Sequence, residues 1–193
     1  MFRPKFDATV FRTLSIMSAV VYRLELLPTE FGAPFYKDID RTDDNAGFDM
    51  YCVKGYDAHE LWRSEKACLL DLGASARMVR VHADGSEEDV HYWLCPRSSI
   101  IKTGLMMANS QGVIDKTYRG TLMGPVYNVN STLFNKNQLG PEGSAGLPGK
   151  MIFKGERLFQ ICAPDMGWIK QVRVVSSLSS TERGEGGFGS SGK

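Results

Sequence analysis

The stretch GVIDKTYRG, residues 112–120, has the pattern of a β-hairpin tip. It opens with two β-branched residues and has a glycine at each end, and Asp115 lies in its middle, where turns favour aspartate. Tyr118 and Arg119 follow shortly after that carboxylate. A simple turn does not require an acid, a phenol and a guanidinium together. The segment is therefore both a fold signal and a candidate functional site.

Further strand signals lie on both sides of this predicted hairpin. They are short runs rich in Val, Ile, Leu and aromatic residues, separated by Gly- and Pro-containing turns. The runs cover 19–27, 77–83, 90–95, 125–130, 151–155, 158–163 and 169–175, and the turns cover 83–89, 139–149 and 163–167. Two short helices are expected, near 58–66 and 100–108. The pattern predicts an all-β fold: a sandwich, a barrel or a jelly roll.

Charge and hydropathy exclude some classes of function. The 193 residues carry 23 basic and 22 acidic side chains, a net charge of +1, which argues against a broad nucleic-acid-binding face. A local pocket for one small anion is still compatible with this balance. No apolar run approaches the roughly 18 residues of a membrane span. The first 17 residues lack the apolar stretch and cleavage site of a secretory signal.

The C-terminal segment differs in composition from the rest of the chain. Residues 176–193 are rich in Ser and Gly, which predicts a flexible tail. The run RGEGGFG, residues 183–189, also matches a single RGG-like RNA-binding piece. We therefore divide the chain into an N-terminal extension of unknown role (1–17), a β domain (18–175) and the tail (176–193).

Five short motifs occur in a fixed order along the chain. They are AGFD (46–49), PRSS (96–99), GVIDKTYRG (112–120), GERLFQ (155–160) and RGEGGFGSSG (183–192). Taken singly, PRSS is a helix cap, Asp115 a turn residue and GERLFQ a surface turn. Taken in this order, over residues 18–193, they resemble the five motifs of the trimeric deoxyuridine triphosphate nucleotidohydrolases, the dUTPases.

The resemblance implies a jelly-roll-like dUTPase fold with short helices and a flexible glycine-rich C-terminal lid. It implies hydrolysis of dUTP to dUMP and pyrophosphate, with Mg²⁺, by an Asp-activated water that attacks the α-phosphorus. That reaction limits uracil in DNA and supplies dUMP. The implied assembly is a homotrimer in which each lid is donated between subunits. No nucleic-acid or membrane partner is expected.

The resemblance also implies roles for matched positions. Asp115 is the implied catalytic base, and Tyr118 packs under the deoxyribose and leaves no room for a 2′-hydroxyl. Asp49 is implied to contact the metal through water, and Arg157 is expected to be structural or inter-subunit. The substrate-binding positions are Arg97, Ser98, Ser99, Asn109, Gly112, Val113, Ile114, Tyr118, Met123, Gln160, Arg183, Phe188, Gly189 and Ser190. Among them, Gln160 holds the water, Arg183 clamps the phosphates and Phe188 stacks on the uracil.

Local charge chemistry agrees with these roles. A nucleoside triphosphate brings about four negative charges, which arginines, hydroxyls and glycine backbone N–H groups can meet. A phosphate-bound Mg²⁺ needs only oxygen ligands, so scattered His and Cys residues are no objection.

Some features depart from the family pattern. Ser99 stands where glycine is common, and Lys116 and Thr117 replace acidic or small residues. The connection 128–150 is longer than usual, and its Gly and Pro content predicts a surface loop.

Three alternatives stay open at this stage. A dCTP deaminase or a bifunctional relative would share the fold, but it needs a glutamate on the strand after the hairpin, where TLMGPVYN (121–128) has no carboxylate and places Pro125. A non-catalytic nucleotide-binding member and an unrelated jelly-roll structural protein are the others. We expect an intracellular protein, cytoplasmic or nuclear, and leave organelle targeting by residues 1–17 open.

Overall fold

The computed structural model describes residues 20–57, 61, 67–129 and 151–187. The described chain forms twelve strands and one short 3-10 helix, so the all-β prediction is confirmed for these residues. The strands are β1 (Val21–Pro28), β2 (Ile39–Asp40), β3 (Gly47–Met50), β4 (Cys68–Asp71), β5 (Ala74–Val81), β6 (Glu87–Val90), β7 (Tyr92–Pro96), β8 (Leu105–Met107), β9 (Gly112–Ile114), β10 (Met123–Asn128), β11 (Phe159–Cys162) and β12 (Ile169–Val174). The 3-10 helix spans Ser98–Thr103.

The largest sheet has five strands in the order β2-β12-β1-β5-β6. Strand β1 lies at its centre, parallel to β12 and antiparallel to β5. Its side chains alternate between partly exposed and buried, and Tyr22, Leu24 and Leu26 are the buried ones. This period of two follows from the pleat of a strand that has one face on the core.

Two smaller sheets complete the fold. One has the order β4-β10-β8 and the other the order β3-β11-β7-β9. Leu94 on β7 and both Phe159 and Ile161 on β11 are fully or almost fully buried and join the same hydrophobic cluster as the β1 side chains. The four-stranded sheet matters for function, because four of the five sequence motifs lie on it or at its strand ends.

Some predicted elements differ from the structure. Residues 151–155 do not form a strand; Ile152 makes one isolated bridge to Tyr56, and Gly155 then turns the chain with φ of +89°. The predicted turn 83–89 is shorter, because β6 begins at Glu87. The short strands β2 and β4 had no clear sequence signal.

The predicted helix 100–108 is wrong in its second half. The 3-10 helix ends at Gly104, whose left-handed backbone (φ 73°) stops it. Strand β8 follows immediately, with Leu105 and Met107 buried and Met106 exposed. The motif PRSS also does not cap this helix with a hydroxyl, since Arg97 is the N-cap and makes no side-chain cap bond.

The predicted hairpin at 112–120 is a turn without a second paired strand. The Tyr118 N–H donates to the Asp115 carbonyl at 2.9 Å, which closes the turn. Strand β9, however, pairs with β7, and Tyr118 bridges to Gly184 of the tail. The chain after this turn continues into β10, which belongs to a different sheet.

Several predictions fall on residues that the structure does not describe. They are the extension 1–17, the helix near 58–66 apart from Leu61, and nearly all of the loop 128–150. None of the described helical segments is long and apolar enough to cross a membrane.

Candidate active site

Asp115 lies on the turn after β9, with 42% of its side chain exposed. Arg183 of the tail forms an ion pair with its Oδ2, and the guanidinium stands 5.5 Å from the centre of the Tyr118 ring. His91 Nδ1 lies 3.3 Å from the other carboxylate oxygen, Oδ1. We call these four residues the turn cluster. It combines an accessible carboxylate, an aromatic face and a cation.

The Tyr118 ring is held in place from two sides. Its hydroxyl donates to the Thr121 carbonyl at 3.1 Å, and a Cβ on Gly120 would lie 2.5 Å from that hydroxyl. Burial raises the pKa of the Tyr118 phenol against the lowering effect of the Arg183 charge. The phenol therefore stays protonated at neutral pH, and the ring is an uncharged surface with a fixed position beside Asp115.

The tail docks on this turn of its own chain. The Arg119 N–H donates to the Gly184 carbonyl at 2.8 Å, and the Thr181 hydroxyl donates to the Thr117 carbonyl. The Arg119 side chain is buried; its Nε donates to the Ser179 carbonyl at 2.9 Å. A lid donated between subunits stays a prediction; in the single chain, the tail residues 179–187 contact the turn of their own chain. Backbone hydrogen bonds and one arginine hold the tail there, and these do not require apolar side chains.

A second group of charges, the arginine cluster, lies on the four-stranded sheet. Asp49 on β3 accepts from Arg97 Nε at 2.7 Å and from Arg157 Nη1 at 3.1 Å. Arg97 Nη1 and the Ser99 hydroxyl both donate to the Arg157 carbonyl, at 2.9 and 3.3 Å. The predicted phosphate motif and the predicted metal partner are therefore in direct contact in this structure.

The arginine cluster opens into a cavity of about 600 Å³. Asp49, Arg97, Ser98, Arg157 and Gln160 are among the residues that line it. This volume lies within the range of small-molecule sites, and its walls combine charged side chains with apolar ones such as Phe48 and Met166. Such a cavity can take a small polyanion.

Two thiols also face this cavity, Cys95 and Cys162. Burial raises the pKa of Cys95, and it raises the pKa of Cys162 to about 12. Thiols with such values are protonated at neutral pH and are weak nucleophiles. The geometry therefore does not favour covalent catalysis by cysteine at this position.

Gly47 of the AGFD motif makes room for Gln160. Asp49 pairs with Gln160 and Gly47 pairs with Cys162 across β3 and β11. A Cβ at Gly47 would lie 2.1 Å from the Gln160 side-chain oxygen. The flexible end of Gln160 would have to move, while the strand pairing could remain.

We therefore predict that Gly47→Ala lowers turnover by about as much as Gln160→Ala, while the protein stays folded. If Gln160 holds the reacting water, each change should cost about 10- to 100-fold in kcat. The comparison is made by steady-state kinetics. Gly55→Ala is the control for the substitution type, because its added Cβ would make an ordinary contact with the Ile152 carbonyl at 3.4 Å. A Gly47→Ala variant that is as active as the wild type would contradict a role for the Gln160 position.

The two clusters lie at opposite ends of β7. Tyr92 at its start pairs with Ile114, next to Asp115, and the Arg97 N–H after its end donates to the Leu158 carbonyl at 2.8 Å. At about 3.3 Å per residue, Asp115 and Arg97 are separated by roughly 20 Å along the strand. The structure does not bring them together within one chain.

Other predicted positions are distributed along these elements. Gly112, Val113 and Ile114 form β9, Met123 begins β10, and Asn109 is exposed in the turn between β8 and β9. Phe188, Gly189 and Ser190 lie outside the described residues.

Sequence comparison finds similar proteins over most of this chain. A deoxyuridine 5′-triphosphate nucleotidohydrolase of Escherichia phage T5 is 31% identical over 157 residues, 78% of this chain and 88% of that protein. The protein of that name from Pasteurella multocida is 30% identical over 166 residues, which are 86% of this chain and 90% of that protein.

The chain belongs to the dUTPase family.

Matches to solved structures are more distant. A dUTPase of Staphylococcus bacteriophage 80alpha is 17% identical, covers 82% of this chain and 96% of its own, and has a TM-score of 0.47. A point mutant of that dUTPase with dUpNHpp is 19% identical, with a TM-score of 0.46, and covers 88% of this chain and 98% of its own. No protein-family model matches the sequence.

Two residues near Asp115 had no role in the sequence-based prediction. Arg119 lies inside the third motif, and its buried side chain reaches both Ser179 and Asp89. A charged residue between Tyr118 and Gly120 was the available signal. His91 contacts Asp115 through the β7–β9 register, and no sequence pattern fixes that register.

Proposed function

We propose that this member of the dUTPase family hydrolyses dUTP to dUMP and pyrophosphate. The observation that carries the proposal is the identity of about 30% to named dUTPases along most of the chain. In addition, Asp49, Arg97 and Gln160 line one cavity, and the Asp115 carboxylate is exposed. The alternative deaminase is not favoured, because β10, the strand after the turn, contains no carboxylate.

Asp115 acts as the base in this proposal. Its carboxylate is accessible at the tip of the turn, so it can orient and deprotonate a water molecule that attacks the α-phosphorus. In the structure its Oδ2 is paired with Arg183. That guanidinium would turn to the phosphates when nucleotide is bound, since a polyphosphate offers more negative charge than one carboxylate.

The arginine cluster holds the phosphates. Arg97 and Arg157 both pair with one carboxylate, Asp49, so the cluster has an excess of positive charge. Ser98 and Ser99 add hydroxyls beside it. Charged hydrogen bonds of this type bind and orient phosphate oxygens strongly.

Mg²⁺ is the cofactor that fits this arrangement. Among the described residues, no group of three or more His, Cys, Asp or Glu side chains could hold a metal ion. Asp49 is a suitable oxygen ligand, but both of its oxygens accept from arginines, so its contact to the ion would pass through water. A phosphate-bound Mg²⁺ would supply charge neutralisation at the polyphosphate.

The assembly we propose is a homotrimer with shared sites. Asp115 and Arg97 must act on one triphosphate, but they lie roughly 20 Å apart along β7, as estimated from the strand rise. The turn cluster of one chain would therefore meet the arginine cluster of a neighbour. The tail of the chain that supplies Asp115 would then close over phosphates that are bound by the arginine cluster of the neighbouring chain. Each lid would therefore still act on a site that two subunits share.

An exposed apolar face supports this association. Leu69 pairs across from Pro125, and Met106 from Tyr127, so Leu69, Met106 and Tyr127 share one face of the β4-β10-β8 sheet. All three are at least 40% exposed. Apolar clusters of this kind mark interfaces. Light scattering should give about 64 kDa, three chains of 21.4 kDa each; a 21.4 kDa particle would contradict the trimer.

Selectivity is expected to come from shape. The fixed Tyr118 ring would clash with the 2′-hydroxyl of UTP, and the narrow turn would clash with the 5-methyl group of dTTP. We predict that kcat/KM for dUTP exceeds that for UTP by about 100-fold or more. Tyr118→Phe keeps the ring and should keep this ratio, whereas Tyr118→Ala should lower it. Equal kcat/KM values for dUTP and UTP in the wild type would contradict the assignment.

The direct test of the proposed function is incubation of the full chain with dUTP and Mg²⁺, followed by measurement of pyrophosphate. Rapid release with dUTP, and slow release with dCTP, dTTP and UTP, is the expected result. An inactive wild-type protein that still binds dUTP would favour the non-catalytic alternative.

A further inference from the structure

His91 lies directly beside the proposed base. It precedes β7, and the pairing of Tyr92 with Ile114 places it opposite Asp115. Residues opposite each other on neighbouring strands point their side chains to the same side. His91 Nδ1 is accordingly 3.3 Å from Asp115 Oδ1, and its side chain is 58% exposed.

The same ring nitrogen has a second partner. The Lys116 backbone N–H donates to His91 Nδ1 at 3.3 Å. A ring nitrogen that carries a lone pair can accept from Lys116, and one that carries a proton can donate to Asp115. It cannot do both, because the two partners require opposite protonation of Nδ1. The ring therefore has two alternative bonding states.

The charged groups around His91 define these states. Asp115 and Lys116 face it from the turn after β9, and Arg183 of the tail holds the far oxygen of Asp115. The nearest carboxylate on the preceding strand, Asp89, is bound by Arg77 and Arg119. Among the described residues, Asp115 is thus the carboxylate that a protonated His91 would contact.

We propose that His91 is a positioning residue that controls whether Asp115 is available as a base. The neutral ring accepts a hydrogen bond from the Lys116 backbone N–H and so stabilises the turn. Asp115 Oδ1 is then available to the reacting water. The protonated ring donates a charge-assisted hydrogen bond from Nδ1 to Asp115 Oδ1. A carboxylate that is bound by a cation is a weaker base. The proposal rests on the proposed function of Asp115. Histidine is the side chain whose charge changes most readily between pH 5 and 8.

Activity should therefore fall on the acid side earlier in the wild type than without the imidazole. The test is kcat/KM for dUTP between pH 5.5 and 8.5 for the wild type and for His91→Gln, each profile normalised to its own plateau. Gln offers an oxygen to Lys116 but cannot take up a proton in this range. At pH 5.5 the normalised value should be several-fold higher for His91→Gln, because no cation on residue 91 then occupies Asp115 Oδ1. Superimposable profiles would overturn the proposal.

A second measurement does not depend on turnover. The ¹³Cγ resonance of Asp115, followed by NMR from pH 5.5 to 8.5, should show a step in the wild type that is absent in His91→Gln. A signal without that step in the wild type would overturn the proposal. If the step is present but the wild type hydrolyses no dUTP, the contact holds and the proposed function has failed. If dUTP is hydrolysed and neither readout differs, the proposed function stands without His91.

Discussion

The Asp115→Asn variant is expected to lose at least about 100-fold in kcat for dUTP, the low end for a lost general base. An amide has nearly the same shape as the carboxylate, but it cannot accept the proton of the attacking water. The turn itself should persist, because its closing bond joins the Tyr118 N–H to the backbone carbonyl of residue 115. Steady-state kinetics with dUTP and Mg²⁺ measure this loss.

Nucleotide binding separates this role from a structural one. A non-hydrolysable α,β-imido analogue of dUTP should bind Asp115→Asn about as tightly as the wild type in calorimetry. Asp84→Asn, which changes the same side chain in an exposed turn between β5 and β6, is the matched control and should keep full activity. Wild-type turnover in Asp115→Asn would show that another group is the base.

Mixed assemblies should recover activity that neither parent has. Arg97→Gln removes the phosphate clamp and Asp115→Asn removes the base, so each pure variant should be nearly inactive. If a site takes Asp115 from one chain and Arg97 from its neighbour, random exchange in a closed three-fold ring makes about one quarter of the sites fully wild type. A 1:1 mixture should therefore approach about 25% of wild-type turnover once subunits have exchanged.

The tail gives this experiment a second arm. Deleting residues 179–193 should abolish most activity, because the deletion removes Arg183, whose guanidinium would bind the phosphates in the closed site. A lid donated between subunits, which the family resemblance implies, predicts that mixing this deletion with Asp115→Asn restores activity in part. If the tail instead stays on the turn of its own chain, as Ser179 and Gly184 do on Arg119 in the single chain, no site would combine a lid with its carboxylate and no activity would return.

The outcomes of the two arms are distinct. Recovery with Arg97→Gln and none with the tail deletion supports the shared site as described here. Recovery in both arms means that the tail crosses to a neighbour. No recovery with Arg97→Gln, although labelled subunits are shown to exchange, contradicts the shared site.

The sequence was most informative where a signal is local. Alternation along Val21–Pro28 follows from one buried face, so β1 could be predicted, and the runs of β7 and β11 were equally clear. The motif order placed Asp115, Tyr118 and Arg97 on turns and strand ends. Chemical types at fixed spacing were sufficient for that step.

Other features depend on contacts that are distant in sequence. The apolar run at 100–108 has no local mark that separates a 3-10 helix from a strand, except Gly104, whose left-handed conformation becomes evident in the structure. The partner of β9 is β7 rather than the segment that follows the turn, and this pairing brings His91 to Asp115. Tail docking relies on backbone groups, which every sequence contains, so composition could not predict it.

In the proposed reaction, water attacks the α-phosphorus of dUTP. A single turnover of the wild-type protein with dUTP and Mg²⁺ in H₂¹⁸O, analysed by mass spectrometry, tests it most directly. One ¹⁸O atom should appear in the phosphate of dUMP and none in pyrophosphate, because the new P–O bond forms at the α-phosphorus. Label in pyrophosphate, or no cleavage of dUTP at all, would contradict the account.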